Sequence, residues 1–167
     1  VDNVFATPLL QKPLKLGADI VMYSATKHLD GQGRVLGGAI LGSKHFCESF
    51  LKPFIRNTGP SISPFNAWVL TKSLDTLELR VNKQCDNTKK IVKFLDNSKF
   101  VDSICFPFHH AFPQLKLAKK QMKTGGTIVS FRLKAKKNEK KKIAFNFLNN
   151  LSMIDISNNL GDSKSLI

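Results

Sequence analysis

A short polar turn, Ser24-Ala-Thr-Lys27, constrains what this chain can fold into more than any other feature of its sequence. It lies between two apolar runs, residues 19–23 and 35–41, whose lengths suit buried strands. A lysine at the tip of such a turn can form a Schiff base with an aldehyde, and hydroxyls one and three residues before it can hold a phosphate. The pattern therefore indicates a site for a phosphorylated aldehyde, with an ordinary solvated turn as the alternative.

Pyridoxal phosphate (PLP) carries both of these chemical groups. Its chemistry also needs an anion beside the pyridine nitrogen, because the protonated ring accepts electrons from the substrate. Asp2 precedes Lys27 by about the length of one βα unit, and we expect it to be a buried carboxylate in that position. The alternatives are an exposed loop lysine and an aspartate that only caps the end of a strand.

Residues 17–38, taken together with Asp2, resemble the Cys/Met-metabolism family of PLP-dependent enzymes. The resemblance covers nearly the whole chain and is weakest at residues 99–150. It continues through four further segments, residues 56–60, 63–68, 74–80 and 159–167.

Within that family, residues 28–34 and 158–162 make the chain most similar to the O-succinylhomoserine sulfhydrylase branch. His28 replaces a usual tyrosine, and we expect the change to be tolerated because both side chains offer a flat ring with a polar tip. Arg34 stands where the family pattern has an acid. Either a salt bridge or a contact with the substrate is therefore expected for Arg34.

The resemblance also implies roles for individual residues. Lys27 would form the Schiff base, and its amine, once displaced by the substrate, would carry protons. Ser24 and Thr26 would donate hydrogen bonds to the cofactor phosphate. Three residues match the region that faces the substrate carboxylate in the family: Asn159, Leu160 and Ser165.

The fold that the resemblance implies is α/β, as a fragment of a fold-type I PLP-dependent transferase. Residues 1–70 would be the end of the large cofactor-binding domain, and residues 71–167 a truncated α+β C-terminal domain. Family members are longer than this chain. We therefore expect further cofactor contacts upstream of Val1, a carboxylate-binding arginine downstream of Ile167, and no activity from the 167 residues alone.

The activity implied is γ-replacement on O-succinylhomoserine or O-acetylhomoserine, in which sulfide displaces the acyl group to give homocysteine for methionine biosynthesis. Cystathionine γ-synthase and a PLP-dependent γ-lyase are the alternative enzymes. The implied partners are small-molecule substrates and further copies of the chain, in a homodimer or homotetramer. The expected location is the cytoplasm.

The net charge of +14 raises a different class of function, a basic nucleic-acid-binding module. The densest lysine block, residues 134–142, falls between a strand-like and a helix-like segment, where solvated connections are common. Aromatic residues do not alternate with these lysines as base stacking would require. We therefore expect no nucleic-acid partner.

The sequence also argues against a metal site and a membrane span. Its three cysteines are widely spaced with no Cys-x-x-Cys pair, which favours a reducing compartment. His109 and His110 are adjacent, so they cannot both point from one helix face, and a surface turn is expected there. No apolar stretch reaches the length of a membrane span.

The pattern of apolar residues predicts the order of elements. Short buried strands are expected in the first 62 residues, followed by one long helix or two in series that begin at Ser63-Pro64. The segments after residue 100 are predicted as strand 101–108, helix 115–122, strand 127–133, helix 141–151 and strand 153–157.

Overall fold

The computed structural model describes residues 1–167, along which helices and strands alternate. Short 3₁₀ and π-helical turns occupy Pro13–Leu16, Ala25–Leu29 and Cys47–Leu51. In chain order the elements are α1 (Thr7–Leu10), β1 (Ile20–Ser24), β2 (Gly38–Gly42), α2 (Lys44–Phe46), α3 (Lys52–Thr58), α4 (Pro64–Leu74), α5 (Leu77–Asp96), β3 (Val101–Cys105), α6 (Leu115–Gln121), β4 (Ser130–Leu133) and α7 (Lys140–Asn149).

β1 and β2 form an antiparallel pair that frames the Lys27 turn. Ile20 pairs with Gly42 at one end, and Ser24 pairs with Gly38 at the other. A Cβ atom on Gly38 would lie 3.2 Å from the carbonyl oxygen of Tyr23, which is a tight contact for a Cβ atom. The glycine therefore lets the backbone of β1 approach β2 closely at this end of the pair.

The first residues of the chain run parallel to β1 on its other side. The Asn3 amide donates a hydrogen bond of 3.1 Å to the Met22 carbonyl, and Asp2 forms a bridge with Met22. Val21 and Tyr23 of β1 are buried, as the alternation of a half-buried strand requires. β1 is therefore the central strand of this part of the molecule.

The prediction of buried strands in the first 62 residues is wrong in part, because only β1 is a half-buried strand. β2 is almost entirely exposed, and residues 44–58 are helical. The cause lies at Ser43, whose hydroxyl accepts a hydrogen bond from the Phe46 amide and starts a helix there.

The two helices in series are confirmed. The Ser63 hydroxyl accepts a hydrogen bond from the Asn66 amide and caps α4, whose first residue is Pro64. α4 and α5 are separated only by Asp75 and Thr76. The core forms where α1 packs against one face of α5, from Ala6, Leu10, Leu77, Val81 and Cys85.

In the second half, β3 and β4 form a separate antiparallel pair, with a bulge between Val101 and Ser103. Four of the predicted elements appear in the expected order. The strands predicted at 101–108 and 127–133 are shorter than expected, because only the residues that pair with the other strand are extended. The predicted strand 153–157 does not form, and a single bridge joins Asp155 to Leu166.

Several large apolar side chains remain uncovered within the chain. Leu36 is 82% exposed, Phe54 62% and Trp68 59%. None of the helices combines the length and the apolar character that crossing a membrane requires.

Candidate functional site

Lys27 sits in the π-helical turn that directly follows β1. Its backbone angles, φ −89° and ψ −126°, break the helical geometry of that turn. The half-buried side chain donates a hydrogen bond of 3.0 Å from Nζ to Oδ1 of Asn159, 132 positions later in the sequence. The partner is a neutral amide, so the amine is oriented without being paired to a carboxylate.

Ser24 and Thr26 precede Lys27 on the same turn, and both are half-buried. Ala25 between them is buried, and its amide donates to the Gly37 carbonyl at 2.8 Å. The Ser24 hydroxyl does not cap the turn that it precedes. One amine and two hydroxyls therefore lie on a single turn anchored to both strands.

The segment that carries Asn159 docks onto this turn. The Ser163 amide donates to the Gly31 carbonyl at 2.8 Å, and the Gln84 side-chain amide donates to the Asp162 carbonyl at 2.7 Å. These bonds fix the loop three and four residues after Asn159.

The other two residues predicted to face the substrate carboxylate differ from Asn159. Leu160 is half-buried, whereas Ser165 is exposed and its carbonyl accepts a hydrogen bond from the Asp155 amide. Of the three, only Asn159 hydrogen-bonds to Lys27.

Asp2 is exposed, so the expectation of a buried carboxylate is wrong for this chain. Its Oδ1 accepts a hydrogen bond of 3.0 Å from the Val4 amide, which is the strand-end cap of the alternative interpretation. No residue of the chain covers the carboxylate. Asp2 nevertheless runs parallel to β1, and the carboxyl ends of parallel neighbours meet at the same edge of a sheet.

His28 is the fourth residue of the Ala25–Leu29 turn, and it is only 1% exposed. Its Nε2 is 2.8 Å from the Thr127 hydroxyl, while its Nδ1 is buried without a hydrogen-bond partner. Burial, together with the nearby positive charge of Arg80, lowers the pKa of His28 to about 4. The ring is therefore neutral at pH 7 and serves as a packed support for the lysine turn.

Asp30, Arg34 and Ser73 form a polar cluster at the end of the turn. The Arg34 guanidinium donates to Asp30 at 2.8 Å and to the Ser73 hydroxyl at 2.8 Å. Burial alone would raise the pKa of the Asp30 carboxyl, but the hydrogen bonds and charge of Arg34 hold it below the usual value. Of the two expectations for Arg34, the structure shows the salt bridge.

The sequence did not predict a role for Arg80 at the site, although Arg80 lies in residues 74–80, one of the segments that resemble the family. Its guanidinium donates to the His28 carbonyl at 2.8 Å and to the Ser73 carbonyl at 2.9 Å, joining the turn to α4 and α5. A side chain on Gly31 would overlap this guanidinium. Gly31, four residues after Lys27, is the sequence feature that could have indicated a side chain packed closely against this turn.

The sequence pattern of the Cys/Met metabolism PLP-dependent enzymes matches residues 1–167, the whole of the chain. The chain belongs to this family. Its cofactor is therefore PLP, and an amine with two hydroxyls on one half-buried turn fits an aldehyde that bears a phosphate.

Curated relatives cover more than one activity of the family. An O-succinylhomoserine sulfhydrylase of Mycobacterium tuberculosis is 50% identical over 167 residues, which are 100% of this chain and 41% of that protein. An L-methionine gamma-lyase of Treponema denticola is 39% identical over 168 residues, again 100% of this chain and 41% of that protein. The chain thus spans 41% of the length of these relatives.

Solved structures show the same fold. A cystathionine gamma synthase from Xanthomonas oryzae pv. oryzae, in complex with aminoacrylate and cysteine, superposes with a TM-score of 0.92 at 32% identity. The match covers 99% of this chain and 42% of that one. The expected fold class, part of the fold of PLP-dependent Cys/Met-metabolism enzymes, is confirmed.

Proposed function

We propose that this chain is part of an enzyme that replaces the acyl group of an acylated homoserine with sulfide to form homocysteine. The observation that carries the proposal is the hydrogen bond between Lys27 Nζ and Asn159 Oδ1. It brings a candidate catalytic amine together with the loop expected to face the substrate. Identity of 50% with an O-succinylhomoserine sulfhydrylase supports the choice of reaction.

The Lys27 turn would hold the cofactor. PLP, when bound, supplies an aldehyde for the lysine amine and a ring that accepts electrons from the substrate. The hydroxyls of Ser24 and Thr26 would donate to its phosphate, since they stand on the same anchored turn as the amine. Asp2 would lie beside the ring nitrogen. Because the Asp2 carboxylate is exposed in this chain, another part of the enzyme would have to shield it from water.

Lys27 would also move protons. A free amine at Nζ could take the proton from Cα of the substrate, pass it to the cofactor, and only then take one from Cβ. The acyloxy group would leave from Cγ as a carboxylate, sulfide would add there, and the protons would be returned to the product. Asn159 Oδ1 would orient the amine that the substrate frees, and preorganisation of this kind lowers the cost of each transfer. Asn159, Leu160 and Ser165 would line the side of the substrate carboxylate.

Two further reactions compete with this proposal. A methionine γ-lyase relative at 39% identity favours elimination without an added nucleophile, and the cystathionine γ-synthase structure favours cysteine as nucleophile. Residues 32–34 and 158–159 are the segments that support the sulfhydrylase branch instead.

We also propose a division of the chain near residue 70, with residues 1–70 in the cofactor-binding domain and 71–167 in the C-terminal domain. The two strand pairs support it, because β1 with β2 and β3 with β4 fall on either side of that point. The working enzyme would be a homodimer or homotetramer. A reducing cytoplasmic location suits its three free cysteines.

A competition assay tests the reaction. The enzyme that contains this chain is given O-succinylhomoserine with sulfide and cysteine at equal concentration, and homocysteine is expected to form faster than cystathionine. A pocket for cysteine must pair an extra amine and carboxylate, and unpaired polar groups discriminate strongly between substrates. Predominant cystathionine would assign the synthase reaction, and 2-oxobutanoate release without a nucleophile would assign the lyase.

A further inference from the structure

A cluster of potential metal ligands lies in the C-terminal half, on residues that are not part of the Lys27 site. His109 Nε2 is 3.0 Å from Oδ1 of Asp96, and His110 Nδ1 is 4.0 Å from Oδ2 of the same carboxylate. Each of the three side chains offers a ligand atom within 4.8 Å of the others. The cluster joins the last residue of α5 to the turn that follows β3.

The turn explains how two adjacent histidines reach one carboxylate. The His109 amide donates to the Phe106 carbonyl at 2.9 Å, and the Phe112 amide donates to the His109 carbonyl at 3.0 Å. This tight backbone places the two rings side by side, with centroids 4.1 Å apart. Adjacent histidines cannot both point from one helix face, but in this turn both rings reach the same carboxylate.

The three ligands are held unequally. His109 is buried, with 7% of its surface exposed, and its Nδ1 accepts from the Ala111 amide at 3.3 Å. The Asp96 side chain is 45% exposed and that of His110 76% exposed. One ligand is thus fixed by the fold, and the other two can adjust by rotation at little cost.

The donor set selects the kind of ion. Two imidazole nitrogens and one carboxylate oxygen are typical of Zn²⁺, whereas Mg²⁺ and Ca²⁺ prefer oxygen ligands alone. A tetrahedral Zn²⁺ with bonds of about 2.0–2.1 Å places its ligands roughly 3.3 Å apart. The separations of 3.0 and 4.0 Å run to different oxygens of the Asp96 carboxylate, and the three ligand atoms lie within 4.8 Å of one another. Rotation of the exposed His110 and Asp96 side chains would close the set to this geometry.

We propose that Asp96, His109 and His110 form a Zn²⁺ site with a fourth position open to water. The ion binds His109 Nε2 as the ring proton moves from Nε2 to Nδ1, so the imidazole stays neutral and gives up the 3.3 Å hydrogen bond that Nδ1 accepts from the Ala111 amide. His110 turns to complete the set. Bound Zn²⁺ ties the end of α5 to the turn after β3. It therefore stabilises the fold around this cluster.

The test measures Zn²⁺ binding by calorimetry on the PLP-loaded enzyme that contains this chain, after removal of metals with a chelator. One Zn²⁺ per chain is expected, together with a higher unfolding temperature. His110→Ala should weaken binding at least tenfold without a loss of packing, because the side chain is exposed. Asp96→Asn should also weaken it, since the amide keeps the shape but loses the charge.

Two matched controls separate this site from adventitious binding. His45→Ala removes another exposed histidine, and Cys105→Ser removes an exposed thiol. Both should leave Zn²⁺ affinity unchanged. The proposal is overturned if the wild-type protein binds no Zn²⁺, if His110→Ala and Asp96→Asn bind as tightly as wild type, or if either control abolishes binding.

Discussion

Lys27 is the residue on which the proposed chemistry depends, and the neutral hydrogen bond to Asn159 leaves its amine available. In the enzyme that contains this chain, Lys27→Ala should abolish both turnover and the visible absorption band of a lysine-linked cofactor. Lys15→Ala, at an exposed lysine in the Pro13–Leu16 turn, is the matched control and should change neither. A retained band that borohydride can reduce would show that another lysine holds the cofactor.

Asp2 tests a different part of the proposal. Asp2→Asn should leave PLP bound, because Lys27 and the hydroxyls remain, but should lower kcat at least a hundredfold by removing the charge beside the ring nitrogen. A preorganised charge of this kind contributes on the order of 3–4 kcal/mol to transition-state stability. Unchanged kcat would mean that Asp2 acts only as the strand-end cap seen in the structure.

His28 makes stability depend on pH. Its folded pKa of about 4 lies below the ordinary value of 6.5, so the unfolded chain binds a proton that the folded protein excludes. Its contribution is complete above pH 6.5 and is lost as pH falls from 6.5 to 4, to a total of about 3 kcal/mol. Urea unfolding at pH 7 and pH 5 measures the part of this loss that falls between those two pH values, about 2 kcal/mol.

His28→Gln provides the comparison for that measurement. Glutamine keeps a polar partner for Thr127 but does not titrate, so the fall in unfolding free energy between pH 7 and pH 5 should shrink. His45→Gln, at an exposed histidine, should preserve the full fall. An equal fall in His28→Gln and wild type would assign the pH dependence to other groups.

At the scale of elements, the loop around Asn159 depends on one close contact with the lysine turn. Gly161 has φ +73°, and a Cβ there would lie 2.6 Å from His28 Cγ and 2.7 Å from the His28 backbone nitrogen. Gly161→Ala should therefore push the loop away from the turn, break the hydrogen bond between Lys27 and Asn159, and lower both kcat and the unfolding temperature.

Gly17→Ala is the matched control for that change. Gly17 has φ +96°, with no heavy atom within 4 Å of the added Cβ. Both substitutions carry the strain of a left-handed backbone, about 1 kcal/mol, but only Gly161→Ala adds the clash. Similar losses in the two variants would show that backbone strain alone accounts for the effect.

The sequence could predict elements whose signals are local. Ser63-Pro64 marks a cap and a first helical residue, and the structure has both. The helices in residues 44–58 were not predicted, because the apolar residues of this segment suggested strands. The Ser43 hydroxyl, which caps the first of these helices, favours the helical structure instead. The strand predicted at 153–157 lacks a partner long enough to pair with it, which no local pattern could reveal.

The same limit applies to the candidate site. Ser24, Thr26 and Lys27 are neighbours in sequence, so a motif could place them on one turn. Arg80 donates to the His28 carbonyl from 52 positions away in the sequence. Asp2 is exposed, and whether its carboxylate is shielded depends on what packs against the start of the chain. Contacts of that range follow from packing, which a single sequence does not specify.

At the scale of the whole molecule, large apolar side chains are exposed just before β2 and on α3 and α4. Leu36, Phe54 and Trp68 each expose more than half of their side chains. Apolar surface of this kind in a stable protein is normally covered by further chain or by a partner. The homo-oligomer that we propose for the enzyme would supply such a cover.

The 167-residue chain on its own should therefore self-associate and should not turn over O-succinylhomoserine with sulfide, even after PLP is added. Light scattering coupled to gel filtration gives the mass, and homocysteine formation gives the activity. Phe54→Ser should reduce the association because it removes an exposed ring without disturbing the core, whereas Lys52→Ser on the same helix should not. A monomeric, PLP-loaded and active chain would contradict this expectation, because it would show that the exposed side chains need no cover and that the Lys27 turn suffices for catalysis.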